Sequence, residues 1–296
     1  MKAVINRHTR FRFWRRTDNL KINSQGSTYM GLIHLSRILV LALTLSVTPS
    51  AFSADFAAGL TAYKKGDFAT AMKEWRQLAK QGDADAQYNL ATMYSNGQGV
   101  PQDYQAAIPW YRLAAEQGNI KAQHNLGFLY GDGLGVPQDN KAAVKWYRLA
   151  AEQGYASAQR NLGFIYEIGR GVPQDYKTAI KWYTLAANQG SAIAQVSLGT
   201  MYDSDVGVPQ NYKAAVKWYT LSANQGNPFA QVNLGLMYAK GNGVLVDYVT
   251  AHMWLNIASS NGQDPANRNA LATIMTPDQI QEAQTLAREW VKAHGG

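Results

Sequence analysis

The 296 residues exceed what one compact core normally needs, whereas a repeat array that grows along one axis reaches this length easily. The formal net charge of +8 is concentrated at the amino terminus, because residues 1–53 carry +7 and residues 54–296 carry only +1. A nearly neutral body attracts phosphate groups weakly, which argues against nucleic-acid binding. The sequence contains no cysteine, which excludes disulfides, thiolate metal sites and a cysteine nucleophile.

The first 53 residues have the composition of an extension followed by an export signal. Residues 1–29 are basic and aromatic and precede a second methionine, Met30, so we expect them to be a non-native or disordered extension. Residues 30–53 combine a positive charge, an apolar run at 38–47 and a small-residue stretch, which is typical of a signal peptide cleaved near Ser53/Ala54. The apolar run is shorter than the roughly 20 residues that cross a bilayer. We therefore expect a periplasmic or secreted protein with no stable membrane anchor after cleavage; the alternative is an uncleaved anchor.

A period of 36 residues dominates the remainder of the chain. Variants of the segment Ala-Gln-x-Asn-Leu begin at residues 86, 122, 158, 194 and 230, and tryptophan recurs at the same step at Trp110, Trp146, Trp182, Trp218 and Trp254. Self-similarity at a fixed period of this size is the signature of a solenoid of stacked units.

Each unit contains the pattern of two helices. Ala86, Leu90 and Met93 fall on one helical face, and a Gly-x-Gly segment such as Gly97–Gly99 then requires left-handed backbone. The second helix is predicted to begin after a capping side chain, at Asp103, Asp139, Asp175, Asn211 and Asp247. In the fourth unit Asp205 replaces the first loop glycine, and aspartate tolerates left-handed backbone better than most residues.

These patterns predict an all-α solenoid of about six stacked helix pairs plus a C-terminal capping helix. Its divisions are an N-terminal capping pair at 54–85, five repeats at 86–265 and C-terminal capping helices at 266–296. Thr276-Pro277-Asp278-Gln279 has the capping-box pattern of a helix start.

The full pattern A-Q-x-N-L-G-x-x-Y-x-x-G-x-G-V-P-Q-D-x-K-x-A-x-x-W-Y-x-x-A-A-x-Q-G closely resembles the Sel-1-like repeat, a relative of the tetratricopeptide repeat. The resemblance covers roughly Asp55 to the C-terminus. It implies a right-handed solenoid in which the first helix of each pair lines the concave side, and a role as scaffold or adaptor. A secreted, cysteine-rich branch of the family is associated with penicillin binding and weak β-lactamase activity, but its disulfide-linked pairs are absent from this sequence.

The third, seventh and tenth residues of each first helix vary between units and share a face distinct from the core face. We take this face as the candidate partner-binding surface because aromatic residues beside an arginine are typical of binding hot spots. Its candidate residues are Tyr88, Thr92, His124, Phe128, Arg160, Phe164, Glu167, Thr200 and Asp203. The alternative is that both phenylalanines pack between helices and the polar residues are only solvated.

A column of amides at Asn89, Asn125, Asn161 and Asn233, with Ser197 between, is open to two interpretations. These side chains can bind a ligand backbone, or they can bond a neighbouring repeat, which we favour.

The sequence favours binding over catalysis, since it contains no HExxH, GxSxG or Walker motif. We expect an exported scaffold or adaptor that binds a protein or peptide on its concave face, with no cofactor, metal or nucleic acid. The alternative is a cell-wall-related binding protein or weak, β-lactamase-like hydrolase, by family analogy alone.

Overall fold

The computed structural model describes residues 54–294, which fold into helices joined by turns and loops, with no strand. The predictions for the extension at 1–29 and the signal peptide at 30–53 lie outside these residues. The helices are α1 Phe56–Lys64, α2 Phe68–Lys80, α3 Ala84–Asn96, α4 Tyr104–Glu116, α5 Ile120–Asp132, α6 Asn140–Glu152, α7 Ala156–Ile168, α8 Tyr176–Asn188, α9 Ala192–Asp203, α10 Tyr212–Asn224, α11 Pro228–Lys240, α12 Tyr248–Ser260, α13 Ala266–Ala272 and α14 Pro277–His294.

The helices pack as consecutive pairs, which confirms the predicted all-α solenoid. We call α3, α5, α7, α9 and α11 the first helices and α4, α6, α8, α10 and α12 the second helices. Each first helix packs most extensively on the second helix of its own repeat and next on the second helix of the preceding repeat.

The helix boundaries follow from local side-chain chemistry. Each predicted capping residue accepts a hydrogen bond from a backbone N–H two or three residues on, as Asp103 does from Ala106 at 2.9 Å. The loop after the first helix takes left-handed backbone at Gly97 in the first repeat (φ +69°) and at Asp205 in the fourth (φ +55°). The Asp205 carboxylate accepts a hydrogen bond from the Gln210 N–H at 3.0 Å, which helps this loop keep its turn without glycine.

A buried glutamine ties each repeat to the previous one. The Gln159 amide donates to the Ala151 carbonyl at the end of the preceding second helix (3.0 Å), and its carbonyl accepts from Gln189 at the end of its own second helix (2.7 Å). The other members of this set are Gln87, Gln123, Gln195 and Gln231, which make the same two bonds, with Asn261 as the donor to Gln231. We call these five side chains the glutamine clamps.

The two ends of the array are closed by shorter or atypical elements. The first pair, α1 and α2, encloses the fully buried Trp75. At the other end α14 begins with the predicted capping box, in which Thr276 and Gln279 bond each other's backbone N–H groups. Trp290 of α14 then packs edge-on against Trp254 of α12, with ring centroids 5.5 Å apart. None of the helices within 54–294 combines the length and apolar character needed to cross a membrane.

Within a repeat, the first and second helices approach closely because a glycine faces a tyrosine ring. A methyl group added to Gly127 would lie 2.7 Å from Cδ1 of Tyr147, whereas one added to Gly131, a turn further along α5, would lie 3.5 Å from the Ala143 Cβ. The first distance is a clash and the second is ordinary van der Waals contact.

We therefore expect Gly127→Ala to destabilise the fold by about 1–3 kcal/mol, because the tyrosine must move out of a packed site. Gly131→Ala is the matched control in the same helix. It should be neutral or stabilise the fold by up to about 1 kcal/mol, because alanine is the better helix former. Urea unfolding followed by circular dichroism measures both, and equal effects of the two substitutions would contradict this account of the helix contact.

His252 lies in α12, where the C-terminal helices cover it and leave it 3% exposed. Its Nδ1 has no hydrogen-bond partner among residues 54–294. Burial, with the Arg268 charge as a second cause, lowers the pKa of His252 below its usual range. The folded chain therefore resists a proton that the unfolded chain accepts.

This pKa shift makes the C-terminal end acid-sensitive. Stability is fully present above the ordinary histidine pKa of about 6.5 and falls as the pH is lowered towards the depressed folded-state value. We expect the melting temperature of the native chain to drop more between about pH 7.5 and about pH 5.5 than that of His252→Leu, which removes this proton linkage. A drop of equal size in both proteins would show that His252 does not carry the effect.

Candidate partner-binding surface on the first helices

We call the third, seventh and tenth positions of each first helix, counted from the alanine of its Ala-Gln segment (Ala86 in the first repeat), the first-helix face. Of the nine residues predicted to bind a partner there, Tyr88, Thr92 and Arg160 are buried, with 7%, 5% and 8% of their surface exposed. The other six are half-buried: His124, Phe128, Phe164, Glu167, Thr200 and Asp203. Three of the predicted side chains therefore offer little surface to a partner, a correction to the expectation that the whole set is accessible.

At the first repeat the face is closed by packing against the second helix. The Thr92 hydroxyl bonds the Tyr88 carbonyl at 2.9 Å and lies 3.1 Å from the Tyr111 hydroxyl. The Tyr88 and Tyr111 rings pack at a centroid distance of 5.9 Å. Burial is the main cause that raises the pKa of Tyr88, so this phenol stays neutral at physiological pH.

His124 links the second and third repeats. Its ring packs against Tyr147 at 5.5 Å and against Tyr155 at 5.2 Å between centroids. Its Nε2 lies 3.2 Å from Nδ2 of Asn161 on the next first helix. Asn125 similarly donates to the Tyr111 hydroxyl of the preceding repeat at 3.0 Å. For these two asparagines the structure confirms the interpretation that they hold neighbouring repeats together.

The two phenylalanines are partly used in packing, as the alternative interpretation held. Phe128 lies against the core cluster of the first and second repeats and against the cluster of the second and third. Phe164 packs on the core of the third and fourth repeats. Both rings remain half-buried, so each still presents an apolar edge at the surface of the central repeats.

Towards the fourth repeat the face becomes acidic. Glu167 accepts a hydrogen bond from the Tyr183 hydroxyl at 2.7 Å, and Thr200 accepts one from the Tyr219 hydroxyl at 3.3 Å. Burial raises the pKa of Asp203, while the charge of Lys240 on the next first helix opposes that rise.

The tyrosines of the second helices are the feature that sequence reasoning missed. Tyr111, Tyr147, Tyr183 and Tyr219 are buried, and hydroxyls of this set bond variable residues of the first-helix face, as at Thr92, Glu167 and Thr200. A tyrosine directly follows each of the first four repeated tryptophans, and this recurrence is the sequence signal that could have identified the column. The tyrosine hydroxyls hold face side chains in place.

Arg170 is a second residue that the sequence did not single out. It lies in the loop after α7 and donates to the Gly131 carbonyl and to Asn140 Oδ1, the latter at 2.9 Å. Its guanidinium is also 3.9 Å from the Asp132 carboxylate. The loop of the third repeat is thereby attached to the second, next to the half-buried aromatic residues.

The face therefore combines apolar edges at the central repeats with polar side chains held by a hydrogen-bond network. Such an arrangement suits recognition, since preorganised side chains lose little conformational freedom on binding. Within residues 54–294 no group of three or more histidine, aspartate or glutamate side chains is placed to hold a metal ion.

Fold and face together define a helical repeat scaffold. The Sel1 repeat model matches residues 84–119, 120–155, 156–191, 192–227 and 228–263, which is more than half of the chain. The chain belongs to the Sel1 repeat family. Each matched stretch contains one first helix and one second helix. A comparison with curated protein sequences yields no match.

Two solved structures illustrate the likeness. A protective antigen of uropathogenic Escherichia coli is 37% identical, with a TM-score of 0.72, over 83% of this chain and 56% of the antigen. A Sel1 repeat protein from Oxalobacter formigenes is 33% identical, with a TM-score of 0.70, over 79% of this chain and 99% of that protein. The chain thus spans little more than half the length of the first relative and nearly all of the second.

If the tyrosine hydroxyls hold the face in place, then removing one should cost stability. Tyr111→Phe should destabilise the fold by about 1–2 kcal/mol, because Asn125 loses a buried acceptor and Thr92 loses a partner. Tyr94→Phe is the matched control, since its hydroxyl accepts only an exposed bond from Arg76, and it should cost less than about 0.5 kcal/mol. Urea denaturation of both variants checks this, and equal losses would argue against the anchoring role.

Proposed function

We propose that this protein is an exported, non-catalytic scaffold that binds a protein or peptide partner through the central part of its first-helix face. Sel1 repeat proteins are helical scaffolds that typically serve protein interaction. The observation that carries the proposal is the group of half-buried side chains His124, Phe128, Phe164 and Glu167 in adjacent repeats. Their mixed aromatic and charged chemistry is that of binding hot spots.

The contacts around these residues hold their side chains in position before a partner binds. His124 is fixed between two tyrosine rings and an asparagine, and Glu167 is fixed by the Tyr183 hydroxyl. A partner that presents an apolar side chain to Phe128 and a hydrogen-bond donor to Glu167 would meet groups that are already in position. Export is supported by the signal-like sequence of residues 30–53.

The test compares the native full chain with two double variants. Phe128→Ala/Glu167→Gln removes an apolar edge and a charge from the face while leaving an amide that still accepts from Tyr183. Leu113→Ala/Glu116→Gln makes the same kinds of change on an exposed part of α4 and is the matched control. Far-ultraviolet circular dichroism and thermal melts establish that all three are folded.

A photoreactive residue in place of Phe164 would crosslink a partner in intact cells of the producing organism, and affinity capture would quantify it. We expect one or more specific proteins to be captured by the native chain and by the control, with at least ten-fold less captured by the face variant. Equal capture by all three proteins would refute the proposed face. Capture of exported proteins only would support the proposed compartment.

A further inference from the structure

Charge is unevenly divided between the two layers of helices. The five second helices contain eight lysines and arginines and only two acidic residues, whereas the five first helices contain three basic and four acidic residues. Residues 54–296 carry only +1 overall, so this is a segregation of charge and not a generally basic body. Most of the excess lies on α6, α8 and α10 at Lys141, Lys145, Lys177, Lys181, Lys213 and Lys217, which we call the lysine stripe.

The lysine stripe is exposed and unpaired. All six side chains are exposed, and none forms an ion pair with a carboxylate of residues 54–294. Three of the ammonium groups lie over the adjacent tryptophan ring at nearly the same distance: Lys145 at 5.6 Å, Lys181 at 5.9 Å and Lys217 at 5.7 Å from the ring centroid. The cation–π contact places these charges in the same position in three successive repeats.

Helix stability does not account for the first lysine of each pair, whereas the second contacts a tryptophan ring. In α6, Lys141 and Lys145 are like charges at i and i+4, a spacing that disfavours the helix. Lys141 is also the second residue of the helix, where the dipole favours an acidic residue over a basic one. The same pair recurs at the same place in α8 and α10. Side chains that cost stability in three repeats point to a function on this surface.

Apolar surface lies beside the charges. Leu149, Leu185 and Leu221 follow the second lysine of each helix by four residues and are 37%, 40% and 41% exposed. More than half of the surface of each leucine is buried, and the adjacent tryptophans are half-buried, so these apolar groups do not project freely from the helices.

A recess of about 320 Å³ lies at the first of these helices. It is lined by the apolar residues Val144, Leu149 and Val172 and by the cations Lys141, Lys145 and Arg148. A recess of this composition accommodates an apolar side chain next to an acidic one.

We infer that the lysine stripe and its leucines form a second docking surface, which binds an acidic amphipathic helical segment of another protein. Charge complementarity requires an anionic partner, and the exposed leucines beside the lysines require that the partner also carry an apolar face. A membrane surface suits the recessed leucines less well, since interfacial binding needs apolar groups that project into the lipid. The surface uses none of the first-helix residues, so the chain would hold two partners through its two layers of helices.

The test measures binding of a fluorescent peptide to the full chain by anisotropy. The probe is a helix of about 18 residues, about 27 Å long, with glutamates along one side and leucines along the adjacent side. Two comparison peptides replace the glutamates by glutamine or the leucines by serine. We expect only the probe to bind well, and its affinity to fall several-fold or more between about 50 mM and about 300 mM NaCl.

The decisive variant is Lys141→Glu/Lys177→Glu/Lys213→Glu, which leaves the lysines over the tryptophans in place. It should weaken probe binding at least ten-fold while its melting temperature stays the same or rises, because acidic residues are favoured at these helix starts. Should it fold poorly, Lys141→Gln/Lys177→Gln/Lys213→Gln removes the same three positive charges without introducing negative ones. Leu149→Ser/Leu185→Ser/Leu221→Ser should also weaken binding at least ten-fold.

Controls address the other basic segment and the other occupants. Residues 1–53 carry +7, so Arg12→Glu/Arg15→Glu/Arg16→Glu is the control for charge elsewhere and should leave the affinity unchanged. The proposal is overturned if this control weakens binding as much as the stripe variants do, or if the glutamine or serine peptide binds as tightly as the probe. Tighter binding to phosphatidylglycerol-containing vesicles, with loss of peptide binding, would assign the surface to a membrane instead.

Discussion

The geometry of the whole array depends on the glutamine clamps. Each clamp donates to the end of one second helix and accepts from the end of the next, so one buried side chain joins three helices. Both halves of a buried amide must be satisfied, and a small change in the angle between repeats would break one of the two bonds. Because the same two bonds recur in five repeats, they fix the orientation of each repeat relative to the preceding one. That orientation determines where the residues of the first-helix face lie.

The tyrosines of the second helices connect the buried core to the first-helix face. Their rings pack against glycines such as Gly127, which lets the two helices of a repeat approach closely. Their hydroxyls lie beside the first-helix face and form hydrogen bonds with residues there, such as Thr92 and Glu167. Thr92 and Thr200 meet a tyrosine hydroxyl, whereas Phe128 and Phe164 occupy the same position in the second and third repeats and pack against the core instead. Arg170 adds bonds to Gly131 and Asn140 of the preceding repeat, and at the equivalent position of the first repeat Gln98 bonds the Tyr63 hydroxyl of the preceding pair.

The 36-residue period made the fold readable from sequence, since five repetitions of one pattern leave few interpretations for capping residues, loop glycines and helix faces. The pattern was informative even where one repeat departs from it. Asp205 replaces a loop glycine in the fourth repeat, and it adopts the left-handed backbone expected at that position. The sequence did not indicate how deeply the residues of the first-helix face are buried. Helical spacing places Tyr88, Thr92 and Arg160 on one side of their helices, but their burial depends on how closely the neighbouring repeat approaches, and that is a tertiary property.

Exposed positions of a solenoid can change without disturbing the clamps, so the two layers of helices are free to acquire different chemistry. The first helices hold mixed aromatic and acidic side chains within a hydrogen-bond network, whereas three second helices hold exposed lysines that form no ion pair within residues 54–294. In the first repeat Gln105 and Pro109 occupy the equivalent positions, and in the fifth Val249 and Met253 do. The helix pattern is therefore compatible with other residues there, and the restriction of the lysines to the three central second helices is better explained by what they contact than by what the fold requires.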